Sequence, residues 1–193
     1  IPAYNTELTL EKTLKAIPQG SANDIIVVDD GSVDKTFEIA TENNVHVVRH
    51  EKNKGYGAAQ KTGYREALNR GADIVVMVHS DFQYDPTLIP EMVRPIVEQG
   101  ADVCFGSRMH NKGSARAGGM VWWRFIANKG LTIVEDSILG LGLTEYHTGY
   151  RAYNRKMLTS IQFEKNSDNY VFDTQIFAQI RLGGFNVAEI PIP

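Results

Sequence analysis

Short apolar runs that empty into polar residues constrain this fold more than any other feature of the chain. They sit inside "DIIVVDD" (Asp24 to Asp30), "NVHVVRH" (Asn44 to His50), "DIVVMVHSD" (Asp73 to Asp81) and "ADVCFGSR" (Ala101 to Arg108). Apolar runs of this kind, bounded by polar residues, are the pattern of parallel strands buried on both faces. Between them lie segments with helical spacing. Glu7 to Ile17 carries Leu10, Leu14 and Ile17 on one side. Asp34 stands where it caps a helix with Phe37, Ile39 and Ala40 on its apolar side. "GYGAAQKTGYREALNRG" reads as a helix closed by Gly71, and Thr87 to Glu98 as another. Strands alternating with helices imply right-handed βαβ units and a parallel sheet. "IPAY" reads as the end of a first strand and Asn186 to Ile192 as a last one. The second half loses the rhythm: a glycine-rich loop (Asn111 to Gly119), a long helical stretch, "TEYHTGYRAYN", and a helix over Val171 to Leu182.

The 193 residues suffice for one α/β domain with a substantial core. The expected organisation is a single domain over 1–193, with a nucleotide-binding half at 1–108 and a site-completing half at 109–193. A net charge of -3 provides no broad basic field, which argues against nucleic acid as a partner. The single cysteine, Cys104, excludes an internal disulfide and agrees with a reducing compartment. No apolar run reaches the roughly 18–20 residues of a membrane span. The richest stretch, "GGMVWWRFIANKGLTIVEDSILGLGL", is broken by Arg124, Lys129, Glu135 and Asp136. Both ends, "IPAYN" and "AEIPIP", are strand-like, so the expectation is a piece of a longer chain.

Ligands of open parallel sheets sit beyond the carboxyl ends of the strands. Here those ends carry Tyr4-Asn5, Asp29-Asp30-Gly31-Ser32, His50, His79-Ser80-Asp81 and Gly106-Ser107-Arg108. The set is polar, acidic at its centre and basic at one edge, which suits a diphosphate, a metal and a polar ring. Two familiar phosphate loops do not fit. "GYGAAQ" lacks the third glycine of a dinucleotide fingerprint, and "GSVDKT" lacks the glycine that precedes the lysine of a P-loop.

In "PAYN…VVDDGSVDKT…SDFQYDP…GSR…HTGYRAY" the chain closely resembles the family 2 glycosyltransferases, nearest their dolichol-phosphate mannose synthase and polyprenyl-phosphate branch. The resemblance runs in order through essentially the whole chain. It implies the GT-A fold, a nucleotide-diphosphate sugar donor, a divalent metal (Mn²⁺ or Mg²⁺), inversion by single displacement, and a place at the cytoplasmic face of a membrane. Asp30 is expected to accept hydrogen bonds from the nucleobase, with Asp29 turned to hold the loop. Pro2, Tyr4 and Asn5 would shape the adjoining wall, and Ser32 and Ser80 complete the donor side.

The family usually ends its fourth strand with Asp-x-Asp, whose second aspartate binds the metal, followed two residues on by a glutamine. This chain reads His79, Ser80, Asp81, Phe82, Gln83. Asp81 and Gln83 match, and His79 replaces the first aspartate. If the segment is extended, alternate side chains face one way and all three converge on one ion. An imidazole there favours Mn²⁺ over Mg²⁺. The other roles open to His79 are a hydrogen bond to a phosphate or to the sugar, and a structural one in which a neighbouring loop satisfies the ring. Asp85, before Pro86, reads as a turn and helix-start residue.

A hydroxyl acceptor needs a general base, whereas a phosphate monoester is already largely dianionic and needs cations. Arg108 and Arg124 match arginines that the family places around the acceptor phosphate, and Arg151 is a third candidate. Glu145 takes the family's acidic position, one methylene longer. Asp173 is expected near the sugar hydroxyls, and either acid would serve as the base for an alcohol acceptor. The cluster Met120, Trp122, Trp123, Phe125, Ile126 reads as helix packing or as a ledge at a membrane surface, where a lipid-linked phosphate would dock. The alternatives are a glycan or alcohol acceptor, a nucleotidyltransferase, which "PAYNTELT" does not favour, and a nucleotide-sugar-binding module without turnover.

Overall fold

The computed structural model describes residues 1–110 and 122–193, and side chains only from 126 onward within the helix that begins at 122. The Asn111 to Gly119 loop and the side chains of Met120, Trp122, Trp123, Arg124 and Phe125 therefore lie outside the described residues.

The strands are β1 (Pro2–Ala3), β2 (Ile26–Asp29), β3 (His46–Arg49), β4 (Ile74–Met77), β5 (Val103–Ser107), β6 (Arg151–Asn154) and β7 (Val187–Pro191). The helices are α1 (Leu10–Ala16), α2 (Thr36–Glu42), α3 (Tyr56–Asn69), α4 (Ile89–Gln99), α5 (Trp122–Leu139), α6 (Arg155–Ser160) and α7 (Val171–Gly183). β1, β2 and β3 form a parallel sheet, and the second sheet has the order β4-β6-β5-β7. The architecture is α/β with helices on both faces and mostly parallel pairing.

The one strand that local pattern does not announce is β6. "TEYHTGYRAYN" alternates polar with apolar groups too irregularly to read as an element. Here Arg151–Asn154 slots antiparallel between β4 and β5, with Tyr153 opposite both Val75 and Val103. Because β6 runs against both neighbours, β4 and β5 point the same way. Their carboxyl ends, at His79–Asp81 and Ser107–Arg108, are thereby brought to one edge.

Strand alternation sorts the core. Val103, Phe105 and Tyr153 face α3 and α7 with Tyr64, Phe172, Ile176 and Phe177. Cys104, Ala152 and Tyr150 face α4 with Ile89 and Met92. In the first sheet Ala3 and Val27 pack on Leu10, Leu14 and Ala40 of α1 and α2. Among the described residues no ladder of hydrogen bonds joins β1 to β4. An apolar slot of about 470 Å³ lies between the two sheets, bordered by Ile26, Val28, Ile74 and Val76. None of His79, Asp81, Arg108 and Asp173 borders it.

Helix starts follow the expected chemistry. Asp34 accepts from Thr36 N at 3.0 Å and from Glu7 N at 3.1 Å, so one carboxylate both opens α2 and ties in the loop after β1. Asp85 accepts from Thr87 N at 2.9 Å, and the short 3₁₀ turn Pro86–Leu88 leads into α4. No described helix is long and apolar enough to cross a membrane.

Candidate active site

The loop after β2 is built around two buried carboxylates. Asp29 Oδ1 accepts from Ser32 N at 3.0 Å, and its Oδ2 lies 3.1 Å from Arg49 Nε, a charge contact without hydrogen-bond alignment. Ser32 Oγ in turn accepts from Asn5 N at 2.9 Å, and Asn5 Oδ1 accepts from Val33 N at 3.0 Å. The ends of β1 and β2 are thus stitched together, leaving the Tyr4 side chain 46% exposed beside them. Gly31, at φ +73°, runs against the backbone of Lys52 and Asn53, where a Cβ would stand 2.5 Å from Lys52 C.

Asp30 holds the opposite side of that passage. His50 donates from Nδ1 at 2.6 Å and Lys54 N at 2.9 Å to its Oδ1, and Gly55 N donates to Oδ2 at 2.9 Å. The carboxylate expected to meet the nucleobase is therefore engaged by three protein donors that secure the loop leading into α3. Oδ2 accepts a single one of these bonds, so the carboxylate keeps acceptor capacity on that oxygen.

The segment after β4 is not extended. Phe82 has φ +61°, and Asp81 Oδ1 accepts from Gln83 N at 3.0 Å, which closes a tight turn. Gln83 therefore leaves the alternation expected of His79, Asp81 and Gln83 as residues of one extended segment. Asp81 and Gln83 are exposed, whereas His79 is mostly buried. Ser80 is buried, and its carbonyl accepts from Thr13 Oγ1 at 3.3 Å. His79 Nε2 lies 3.0 Å from Tyr56 Oη, and its ring meets Tyr56 and Tyr84 edge-on at 5.6 and 5.3 Å between centroids. Burial holds His79 below its ordinary pKa, with Asp81 and Asp173 pulling the other way.

Behind His79 runs a buried polar chain. Tyr56 Oη donates to Asp173 Oδ2 at 3.3 Å, and Gln60 Nε2 donates to Asp173 Oδ1 at 3.0 Å. Arg151 Nη1 lies 2.9 Å from the same Oδ1, and Arg151 Nε donates to Thr148 O at 2.8 Å. Arg151, expected at the acceptor phosphate, is instead 1% exposed, with its guanidinium 4.9 Å from the Phe177 ring. Burial alone would lower its pKa; the Asp173 charge outweighs this and holds Arg151 above its ordinary value.

Arg108, at the end of β5, meets Glu145 in a forked ion pair. Nη2 is 2.5 Å and Nε 3.2 Å from Oε1, and the Arg108 backbone N donates to Oε2 at 2.8 Å. Glu145 is fully buried and also accepts from Asn128 Nδ2 of α5 at 3.0 Å. Glu189 of β7 holds the loop that carries it, accepting from Thr144 N at 2.9 Å and Glu145 N at 3.3 Å. Burial opposes the Arg108 charge, and Glu145 more than offsets it, so the guanidinium stays firmly protonated. His147 pairs instead with Glu135 of α5 at 3.2 Å.

The sequence pattern of Glycosyl transferase family 2 matches residues 1–161 of this chain. The chain belongs to glycosyl transferase family 2. It is 32% identical over its full length to the polyprenol monophosphomannose synthase of Mycolicibacterium smegmatis, of which the alignment covers 74%. It is 28% identical over its full length to the UDP-N-acetylglucosamine--dolichyl-phosphate N-acetylglucosaminyltransferase of Methanococcus voltae, covering 82% of that protein. Glucosyl-3-phosphoglycerate synthase of Mycobacterium tuberculosis, solved with Mn²⁺ and UDP-glucose, superposes with a TM-score of 0.72 at 26% identity, over 99% of this chain and 67% of that one. The fold is accordingly GT-A, and the protein is a glycosyltransferase.

Structures of the Mycobacterium tuberculosis synthase hold Mn²⁺ or Mg²⁺ together with UDP, which supports a divalent ion for a GT-A enzyme. No group of three His, Cys, Asp or Glu gathers for a metal among the described residues. Asp81 is an exposed carboxylate whose Oδ1 accepts from Gln83 N. Ions bound with nucleotides are commonly held by one or two carboxylates plus substrate phosphates, so one protein carboxylate is a sufficient anchor.

Sequence reasoning misses several partners in this glycosyltransferase: Tyr56, Gln60, Tyr84, Asn128 and Glu189. Tyr56 carries a faint signal, standing beside the glycine that opens α3. The others read as ordinary helix or loop residues.

Proposed function

We propose that this glycosyltransferase moves a sugar, with inversion, from a nucleoside diphosphate donor to a polyprenyl phosphate at a membrane surface on the cytoplasmic side. The observation that carries the acceptor choice is the state of the two candidate bases. Glu145 is fully buried and locked to Arg108, and Asp173 is held by Arg151, Gln60 and Tyr56. Neither acid is poised to take a proton from an alcohol. A phosphate monoester, with its second pKa about 6, needs no base at neutral pH and needs cations instead. Arg108 would supply one such cation at the rim, its charge held in place by Glu145. Arg124 stays in the proposal from its place in the sequence.

On the donor side, Asp81 would hold the divalent ion, with Gln83 beside it. When bound, that ion offsets charge on the departing diphosphate. Pro2, Tyr4, Asn5, Asp30 and Ser32 would form the base and ribose side, with Ser80 at the turn. The names of the relatives, which act on polyprenyl and dolichyl phosphates, support the same acceptor class. The described part of α5 supports the membrane setting. Ile126, Leu131, Ile133, Val134 and Ile138 are each more than half exposed along it. Asn128 of the same helix bonds the Arg108–Glu145 pair.

The test is transfer from UDP- and GDP-sugars to a short-chain polyprenyl phosphate with Mn²⁺ or Mg²⁺. Transfer that weakens as pH falls through about 6, where the acceptor phosphate takes up a proton, supports the proposal. Transfer to the corresponding free alcohol, at equal rate, overturns the acceptor assignment. Donor binding without transfer to either would mark a nucleotide-sugar-binding module.

A further inference from the structure

We propose that His79 is a positioning residue and not a ligand of the metal: its imidazole is keyed between Tyr56, Tyr84 and Gly149, and through Tyr56 it ties the Asp81 turn to Asp173. The inference rests on the donor side of the proposed function and concerns the same site.

Three independent features carry it. The first is space. A Cβ on Gly149 would overlap His79 Nε2 and stand 2.8 Å from its Cε1 and 3.0 Å from its Cδ2. Gly149 needs no unusual backbone conformation, so its missing side chain is what lets the loop before β6 close over the ring. The edge bearing Nε2 is thereby walled by backbone on one side and by Tyr56 on the other, which leaves no metal position at Nε2.

The second is the hydrogen-bond order. Tyr56 donates its proton to Asp173, so its oxygen accepts from His79, and Nε2 carries the N–H. A chain of imidazole, phenol and carboxylate then joins the end of β4 to α3 and α7. Tyr84 closes the other side. Its ring meets His79 edge-on, its hydroxyl accepts from Gly149 N at 2.8 Å, and the Arg108 guanidinium lies 5.6 Å from its ring. His79 thus touches, directly or through one tyrosine, the groups proposed for donor sugar and acceptor phosphate alike.

The third is the turn. Asp81 is exposed and closes its own turn by accepting from Gln83 N, whereas His79 is mostly buried among aromatic rings, so the carboxylate and the imidazole sit in different surroundings. What an imidazole adds over a carboxylate at this position is bulk and a donor for Tyr56.

The experiment compares wild type, His79→Ala, His79→Gln, Tyr56→Phe and the His79→Ala/Tyr56→Phe double variant. Mn²⁺ affinity is measured by electron paramagnetic resonance in the presence of UDP and, separately, GDP. Thermal unfolding and transfer kinetics are followed in parallel. Expected is Mn²⁺ affinity within about twofold of wild type in every variant, well short of the roughly 10–100-fold losses seen when even outer-sphere partners of true ligands are removed. The turnover number should fall with donor KM little changed. His79→Gln, which keeps an N–H for Tyr56, should recover part of it. The double variant should lose less than the sum of the two single losses, because both remove the same His79–Tyr56 bond, while the Tyr56–Asp173 bond is lost only with Tyr56. A tenfold or greater loss of Mn²⁺ affinity in His79→Ala overturns the proposal, and so do strictly additive effects on unfolding. If wild type transfers no sugar, the functional reading fails, while the Mn²⁺ and unfolding measurements still decide the role of His79.

Discussion

Glu145 lies wholly out of solvent with its carboxylate 2.5 Å from Arg108 Nη2, although the two residues are 37 positions apart in the chain. The pair closes the carboxyl end of β5 against the loop before β6, and α5 reaches it through Asn128. A buried carboxylate with this many donors is an anchor for an arginine before it is anything else. The arginine remains 25% exposed.

Removing one member should therefore cost stability as well as activity. Arg108→Ala leaves Glu145 buried without its counter-charge, and stability should drop by about 3 kcal/mol, the lower end of the range for breaking such pairs, since Arg108 is partly exposed. Arg108→Lys should restore much of the stability but little of the acceptor affinity, because a single ammonium does not reproduce the fork. Urea unfolding and KM for the polyprenyl phosphate separate the two effects.

Gly149→Ala should be destabilising by about 1–3 kcal/mol, the usual range for overpacking. The added methyl runs into His79, and His79 cannot yield because Tyr56 and Tyr84 flank it. Combining Gly149→Ala with His79→Ala should return part of the loss. A thermal-unfolding comparison of the three proteins gives the answer; no rescue would mean that the clash is relieved elsewhere.

Asp81→Asn should abolish the stabilisation that UDP or GDP gives in the presence of Mn²⁺ while leaving the unliganded unfolding temperature unchanged. The Asp81 side chain is exposed and, among the described residues, hydrogen-bonds within its own turn, so the fold gains little from its charge. Ligand stabilisation grows with concentration over Kd, so a titration in a thermal-shift assay reads the loss directly.

The acid limb of the stability profile should depend on Asp102. Burial pushes its pKa up, but hydrogen bonds from Asn186 N and Asn154 Nδ2 and the nearby Lys156 outweigh this and hold it below the ordinary carboxylate value. A lowered folded pKa stabilises the protein above the unfolded value of about 3.9, and that contribution is lost as pH falls through the lower folded pKa. Asp102→Asn should flatten the stability profile in this window and lower stability near neutrality. Urea midpoints between pH 3 and pH 6 test it; an unaltered slope would show that other carboxylates govern acid unfolding.

Much of the site is legible in the amino-acid order alone. Tyr4, Asp30, His79, Asp81 and Arg108 stand at strand ends, and strand ends are announced by where apolar runs stop. The roles that do not read correctly share one cause, a local pattern overruled by distant packing or by a turn. Pairing His79 with Gln83 assumes an extended backbone, which the left-handed Phe82 breaks. Arg151 looks like a surface cation because "TGYRAY" has no obvious period, yet β6 carries it into an aromatic core, where Asp173 neutralises it.

The sequence by itself determined the class of fold, the positions of six of the seven strands, and which polar residues gather at their carboxyl ends. Those properties follow from periods of two and 3.6 residues, which are local. Only the tertiary structure decided that β6 enters between β4 and β5, that Asp30 faces His50 and Gly55, and that His79 rests beneath Gly149 against Tyr56. Each of those partners lies 20 or more residues away along the chain. Which distant groups meet is settled by packing across the sheet, where volume and donor geometry choose among many equally polar candidates.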